Sequence, residues 1–257
     1  MSNVSEGHIH AEYDNEFKKL TKLLARMGGL AESQLANALI AIEKRDNKLA
    51  MAVKDGDKEI DALEHEIESL VVRMLALRQP MANDLRYVVS TLRTSSDIER
   101  IGDYAKNIAK RAMALNQLPA EPLLRGVLRI GRPVQAMLKD VMDAHLQGDT
   151  AKAIEVWEAD EEVDALYTSL FRELLTYMME DPRHITPCTH LLFIAKNLER
   201  IGDHATNIAE IIHFQVEGVS LGDRRPKADA SNYEVMQPED DSDDDDEDDN
   251  DGPTGNV

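Results

Sequence analysis

The stretch Ile98–Ala109, IERIGDYAKNIA, returns as Leu198–Ala209, LERIGDHATNIA, with nine of its twelve positions identical. A fainter pair lies upstream of these stretches, where DKEIDAL begins at Asp57 and DEEVDAL begins at Asp160. Two pairs of related stretches at nearly the same offset, about 100 residues, indicate an internal repeat. The chain is therefore predicted to contain two homologous halves.

Apolar residues recur at steps of three and four along most of the chain, as at Leu20, Leu24 and Met27. This spacing places apolar side chains along one side of an α-helix. Six such segments are separated by turn residues, and long helices joined by short connections run antiparallel to their neighbours. The sequence predicts an all-α fold of six long antiparallel helices in two tandem homologous three-helix bundles, at residues 10–117 and 118–217.

Acidic residues outnumber basic ones, at 49 against 29, and give the 257-residue chain a net charge of -20. Eleven of the acids lie in the segment Glu239–Asp251, which contains no basic residue. Such a segment cannot bury apolar surface, so residues 222–257 are predicted to form a disordered acidic tail. The remainder is still negatively charged, which argues against nucleic acid as a partner, because phosphate neutralisation needs Lys and Arg.

The chain carries no sequence signal for export or membrane insertion. Its single cysteine, Cys188, cannot form an intramolecular disulfide, which suits a reducing compartment. The first thirty residues lack the apolar core of a signal peptide, and no apolar run approaches the ~18 residues of a membrane-spanning helix. We therefore expect a cytoplasmic protein without a membrane-spanning segment.

Four pairs of acidic residues lie four positions apart within the predicted second and third helices of each half. This spacing places both members of a pair on one helix face, where like charges cost a few tenths of a kcal/mol. A single pair carries little information, but four pairs at matching places in two repeats favour a common role. The pairs are Asp57 and Asp61, Glu99 and Asp103, Asp160 and Asp164, and Glu199 and Asp203.

A helical-wheel projection separates the two kinds of pair. It places Asp57 and Asp160 at the edge of the apolar seam, whereas the acids of the third helix of each half lie away from the core. If the second and third helices bring these edges together, four carboxylates converge on a surface groove in each half. Asn107 and Asn207 follow one turn further along.

Convergent carboxylates without a protein cation are typical of a hard-cation site, suited to iron(III), magnesium, manganese or calcium. Gly102 and Gly202 lie inside these helices at a propensity cost of about 1 kcal/mol, which indicates close approach of backbone or ligand. The alternative is an ordinary solvent-exposed face on which Arg100 and Arg200 neutralise the acids. The spacing alone leaves both interpretations open.

Other motifs for chemistry are weaker. Glu210 and His213 have the ExxH spacing of di-iron bundles, but the matching positions of the first half are Lys110 and Met113, which argues against such a site. His65 is predicted to be a surface histidine. The sequence shows no phosphate-cradling glycine loop and no nucleophilic triad in context.

The phrase ERIGDxAxNIA near the end of each half, with Met27–Leu30 and Arg78–Arg86, resembles the PhoU family, accessory regulators of bacterial phosphate-specific transport. The resemblance covers roughly residues 10–216. It implies multinuclear metal sites on the bundle surface, with iron favoured and zinc, magnesium, manganese and calcium as alternatives. The implied ligands are Asp57, Asp61, Glu99, Asp103, Asp160, Asp164, Glu199 and Asp203.

The resemblance also implies a function. It points to a non-catalytic cytosolic regulator that restrains phosphate uptake and phosphate-starvation signalling, and that forms a homodimer. Its implied partners are the ATPase subunit of the phosphate transporter and a membrane sensor histidine kinase. Two alternatives are a metal-dependent oxidase or phosphatase built on the same carboxylates, and a metal-free scaffold in which the acids pair with Lys and Arg. The acidic tail departs from the family pattern, and its role stays open.

Overall fold

A computed structural model describes residues 3–119 and 123–221 of the chain, with side chains from Tyr13 onward. It contains six α-helices, a single 3₁₀ turn at Pro182–His184 and no strand in these ranges. The predicted all-α fold with six long helices is confirmed. The helices are α1 (Asn3–Glu43), α2 (Asn47–Arg78), α3 (Ala82–Leu115), α4 (Leu124–Gln147), α5 (Thr150–Glu180) and α6 (Ile185–Glu217).

Turn residues end the helices where the sequence predicts. The Asp46 carboxylate caps α2 by accepting hydrogen bonds from the backbone N–H groups of Lys48 and Leu49, at 2.9 and 3.0 Å. Asp149 caps α5 in the same way through Lys152, at 3.0 Å. These caps satisfy amide groups that a helix N-terminus otherwise leaves without partners. Within each bundle the connections are short, and consecutive helices pack against each other as antiparallel neighbours.

The helices form two bundles, α1 to α3 and α4 to α6, which pack together through α3 against α6 and α1 against α4. One continuous cluster of buried apolar side chains runs through both bundles. Helices α3 and α6 are antiparallel, since Asp97 lies beside His204 while Arg111 lies beside His190. The second and third helices of each bundle are neighbours, which brings the paired acids of the repeat together.

Glycines allow the close approach of α1 and α4. A Cβ atom added at Gly28 would lie 2.3 Å from Met142 Cε, and one added at Gly131 would lie 2.8 Å from Leu39 Cδ1. Both distances are too short for real atoms, so a larger residue at either position would require the Met142 or Leu39 side chain to move. The contact gives a structural reason for the glycine at position 28, whereas a Cβ atom at Gly29 would meet nothing within 4 Å.

The helices of the described ranges lack any stretch apolar and long enough to cross a lipid bilayer. The predicted acidic tail, residues 222–257, lies outside the described residues.

Candidate functional site: two carboxylate clusters

The first cluster consists of Asp57 and Asp61 on α2 with Glu99 and Asp103 on α3. The Lys106 ammonium lies between the two helices and donates hydrogen bonds to Asp57 Oδ2 and, at 2.6 Å, to Asp103 Oδ1. The Asp57 side chain is buried, and its second oxygen, Oδ1, has no hydrogen-bond partner. The cluster is thus partly neutralised by the protein and retains one orphaned acceptor.

Glu99 and Asp61 of the first cluster have raised pKa values, in part because other carboxylates lie close to them. Burial raises the pKa of Glu99, and the negative charges of Asp103 and Glu64 raise it further. Burial likewise raises the pKa of Asp61, with the Asp57 charge as the next cause. A fifth carboxylate, that of Glu64, therefore acts electrostatically on the cluster, although it lies outside the repeated motif.

The second cluster consists of Asp160 and Asp164 on α5 with Glu199 and Asp203 on α6. Asp160, Asp164 and Glu199 are more deeply buried than their counterparts, with 1%, 2% and 6% of their surface exposed. Lys196 Nζ donates to Glu199 Oε1 at 2.9 Å, while Glu199 Oε2 has no hydrogen-bond partner.

The Glu199 carboxyl has a strongly raised pKa. Burial raises its pKa to about 7, and the charges of Asp203 and Asp164 raise it further, against the opposing hydrogen bond from Lys196. A carboxylate that resists ionisation in this way gains stability from any additional positive charge nearby.

The helical wheel was wrong about how far Glu199 lies from the core. It placed the third-helix acids on the outer face, but Glu199 is buried. Asp57 and Asp160, expected at the edge of the apolar seam, are buried there. The reason is that the second and third helices of a bundle lie side by side, so each covers part of the polar face of the other as well as its apolar face. Glu99 is more accessible, with 19% of its side chain exposed.

Gly102 and Gly202 mark close contacts, as their position inside helices predicts. A Cβ atom at Gly202 would lie 3.2 Å from Asp160 Oδ1, and one at Gly102 would lie 3.4 Å from Asp57 Oδ1 and 2.9 Å from Ile60 Cδ1. The absent side chains leave room for the buried aspartates to lie against the neighbouring helix.

Two lysines near the clusters were missed by the sequence reasoning. Lys106 follows Asp103 by three residues and is replaced in the second half by Thr206. Lys196 precedes Glu199 by three residues and is replaced in the first half by Ser96. A lysine three residues from an acid lies on the same helix face, and this spacing could have predicted both ion pairs. Because neither lysine recurs in both halves, attention to the repeat alone overlooks them.

The arginines that the sequence offered as neutralising partners contribute less. Arg100 Nε lies 3.6 Å from Glu99 Oε2, with more than half of its side chain exposed. Arg200 Nη1 instead lies 3.5 Å from the Tyr104 hydroxyl on the other bundle. Exposed pairs of this kind are worth at most about 1 kcal/mol.

The asparagines expected beside the clusters lie at the contact between α3 and α6. Asn207 Nδ2 approaches Asp97 Oδ1 at 3.4 Å, and Asn107 lines a groove on the same contact. His65 is exposed, as predicted.

The donor chemistry of both clusters fits a hard cation, although the side chains are not drawn together into a cage. Within residues 3–119 and 123–221, no three His, Cys, Asp or Glu residues form a group arranged to hold a metal ion. Buried oxygens without partners, Asp57 Oδ1 and Glu199 Oε2, are nevertheless the acceptors that such an ion satisfies. Binding would require the carboxylates to rotate toward one another.

Six helices in two tandem bundles, each with a carboxylate cluster between its second and third helix, define a tandem three-helix-bundle protein. The family model described as "PhoU domain" matches the chain twice, at residues 24–112 and 127–212. The chain belongs to the PhoU family.

Relatives extend the match over almost the whole of their own length. A protein of Caulobacter vibrioides, "Phosphate-specific transport system accessory protein PhoU homolog", is 56% identical over 86% of this chain and 97% of its own. The PhoU protein of Escherichia coli K12 is 38% identical over 82% and 88%. The crystal structure of PhoU from Pseudomonas aeruginosa superposes with a TM-score of 0.79 at 40% identity, covering 80% of this chain and all of that one.

Proposed function

We propose that this chain is a non-catalytic accessory protein of phosphate-specific transport that restrains phosphate uptake when phosphate is plentiful. The observation that carries the proposal is the match to the Caulobacter vibrioides accessory protein over 97% of that protein's length. A match of this extent includes both bundles, which supports a function of the whole molecule.

The proposed partners are the ATPase subunit of the phosphate transporter and a membrane sensor histidine kinase. The chain is proposed to bind them in the cytoplasm as a homodimer. Helices of more than 30 residues are about 50 Å long. Their exposed faces offer the ~800 Å² per partner that a stable protein interface needs.

The proposal is tested in a bacterium whose own PhoU gene has been deleted. We expect this chain to lower uptake of radiolabelled orthophosphate and to repress a phosphate-starvation reporter in phosphate-rich medium. Affinity capture from the same cells should recover the transporter ATPase and the kinase. Unchanged uptake and reporter activity, with the chain folded and abundant, would refute the proposal.

We also propose that both clusters bind hard cations, with iron favoured over zinc, magnesium, manganese and calcium. The ligands would be Asp57, Asp61, Glu99, Asp103, Asp160, Asp164, Glu199 and Asp203. A bound ion would supply positive charge to acids that repel one another. The second cluster is proposed to bind more tightly, because its acids are more deeply buried and the pKa of Glu199 is raised to about 7.

The metal proposal is tested by titrating the chelator-treated chain with Fe²⁺ under anaerobic conditions, and in parallel with Zn²⁺, Mg²⁺, Mn²⁺ and Ca²⁺. Isothermal calorimetry should give saturable binding that weakens when Glu199 and Asp203 are both replaced by alanine. An exposed pair on the same helices, Glu158 and Glu217, provides a charge-matched control. Absence of saturable binding for every ion would leave the metal-free scaffold.

One observation favours that metal-free alternative for the first bundle. The Lys106 ammonium bridges α2 and α3 through carboxylates of both helices, which is a structural role that needs no metal. If the alternative is right, chelation leaves the melting temperature unchanged. The first cluster would then act as an internal ion pair.

A further inference from the structure

A groove at the contact between α3 and α6 carries the opposite charge to the rest of the molecule. It is an open space of about 400 Å³ toward the end where α3 terminates and α6 begins. Its polar and aromatic lining comes from Asn107, Lys110 and Arg111 on α3 and from His190, Phe193 and Asn197 on α6. We refer to it as the α3–α6 groove.

The cations of this groove have no anionic partner among the described residues. Neither Lys110 nor Arg111 forms an ion pair there, whereas the chain as a whole carries a charge of -20. Burial lowers the pKa of Arg111, and no carboxylate is close enough to oppose that effect. A half-buried guanidinium without a counter-charge is costly unless a ligand supplies one.

Arg111 is held in place by its neighbours rather than by an acid. Its guanidinium carbon lies 3.9 Å from the centre of the Phe193 ring. This stacking fixes the plane of the guanidinium and leaves its N–H edge for hydrogen bonding.

His190 adds a donor to the same groove. Arg111 Nη1 lies 3.4 Å from His190 Nδ1. A guanidinium can only donate, so Nδ1 accepts, and the neutral imidazole carries its proton on Nε2. Burial and the Arg111 charge both lower the pKa of His190, which keeps the ring neutral at pH 7.

We infer that the α3–α6 groove binds the phosphate group of a small molecule, either free orthophosphate or a condensed phosphate chain. Lys110 supplies a point charge, Arg111 a planar pair of donors, and Asn107 and Asn197 supply carboxamide N–H groups from both helices. A phosphate group is tetrahedral and has oxygens on every side, so it can accept hydrogen bonds from both helices at once. A planar carboxylate has fewer directions in which to accept them. The inference stands on this groove and does not depend on the proposed function.

The repeat provides an internal comparison. The position equivalent to Lys110 in the second half is Glu210, and the position equivalent to Arg111 is Ile211. The position equivalent to Asn197 in the first half is Asp97. The other end of the α3–α6 contact thus carries acids, so the cationic groove belongs to one end of the molecule and is not a general property of the fold.

The test is calorimetric titration of the full chain with orthophosphate and, separately, with tripolyphosphate, in the presence of a chelator. We expect one saturable site per chain. Lys110→Gln and Arg111→Gln should each weaken binding about tenfold or more, as expected for loss of a charged hydrogen bond. The control is Arg129→Gln on α4, an exposed arginine without an ion pair in the described ranges, which should change affinity less than about twofold.

Equal affinities for the wild type and both groove variants, or no saturation below about 10 mM ligand, would overturn the inference. Because Arg111 is half-buried, its variant is first checked for folding by circular dichroism. If Arg111→Gln does not fold, the exposed Lys110→Gln variant is used alone for the test.

The two ligands distinguish the source of the phosphate. Tighter binding of tripolyphosphate identifies a condensed phosphate as the ligand, and tighter binding of orthophosphate identifies the free ion. Loss of uptake control in cells with binding intact would refute the proposed function alone.

Discussion

The first and second carboxylate clusters share one sequence motif and differ in how their charge is balanced. In the first, the Lys106 ammonium connects Asp57 and Asp103 across two helices. In the second, Thr206 occupies that position, and the Lys196 ammonium instead pairs with Glu199. The repeated acidic motif thus places carboxylates at matching positions in both bundles, whereas residues outside the motif decide which lysine of the protein pairs with them.

The largest expected effect tests the ion pair of the first cluster. We expect Lys106→Thr, which imitates the second half, to reduce the free energy of unfolding by about 2 to 4 kcal/mol at pH 7 with chelator, because it leaves Asp57 buried without its counter-charge. Urea denaturation measures the change.

The matched control for this substitution is Lys58→Thr on α2, an exposed lysine without an ion pair in the described ranges. It should change the free energy of unfolding by less than about 1 kcal/mol. Equal losses in the two variants would show that the bridge contributes nothing beyond helix propensity.

The second prediction concerns the raised pKa of Glu199. Its pKa is near its ordinary value in the unfolded chain and about 7 in the folded chain. The folded state therefore binds more protons between about pH 4.5 and 7, and stability falls as the pH rises through this interval. In chelator, Glu199→Gln removes the penalty, so it should stabilise the protein by about 1 to 3 kcal/mol at pH 8 and by almost nothing at pH 4.5.

The counterpart in the first bundle is Glu99→Gln. Because Glu99 is more exposed, its stabilisation at pH 8 should be smaller than that of Glu199→Gln. Unfolding curves at several pH values measure both differences. An effect of Glu199→Gln that does not change with pH would contradict the raised pKa of the buried Glu199 carboxyl.

The third prediction is that a bound cation offsets part of the stability difference between Glu199→Gln and the wild type. At a free Fe²⁺ concentration about ten times the dissociation constant, the wild type should gain about 1.4 kcal/mol of stability. Glu199→Gln should gain less, since it lacks one charged ligand. Thermal melts with and without Fe²⁺ under anaerobic conditions measure both gains, and equal gains would argue that Glu199 is not a ligand.

The smallest expected effect comes from the exposed arginines. Arg100→Ala should change the free energy of unfolding by less than about 1 kcal/mol, since the Glu99 contact is long and exposed. Arg200→Ala should have an equally small effect, because Arg200 Nη1 makes a long contact of 3.5 Å with the Tyr104 hydroxyl. A loss above 2 kcal/mol for either variant, seen in urea denaturation, would mean that an arginine neutralises its cluster.

The fold could be predicted from the sequence because apolar spacing and helix caps are local signals, as Asp46 and Asp149 illustrate. The acid pairs were equally visible, since residues four apart share a helix face. The burial of Glu199 and the bridging role of Lys106 could not be predicted in this way. Both depend on which faces of neighbouring helices meet, and that is decided by packing across the bundle.

The central claim of the metal proposal is that the second cluster binds a cation more tightly than the first. The most direct measurement is the Fe²⁺ affinity of two double variants of the chelator-treated chain, Glu99→Ala with Asp103→Ala, and Glu199→Ala with Asp203→Ala. The account predicts that Glu99→Ala with Asp103→Ala, which keeps the second cluster, binds Fe²⁺ as tightly as the wild type. Glu199→Ala with Asp203→Ala should bind Fe²⁺ more weakly. Tighter binding by the variant that keeps only the first cluster would contradict the account.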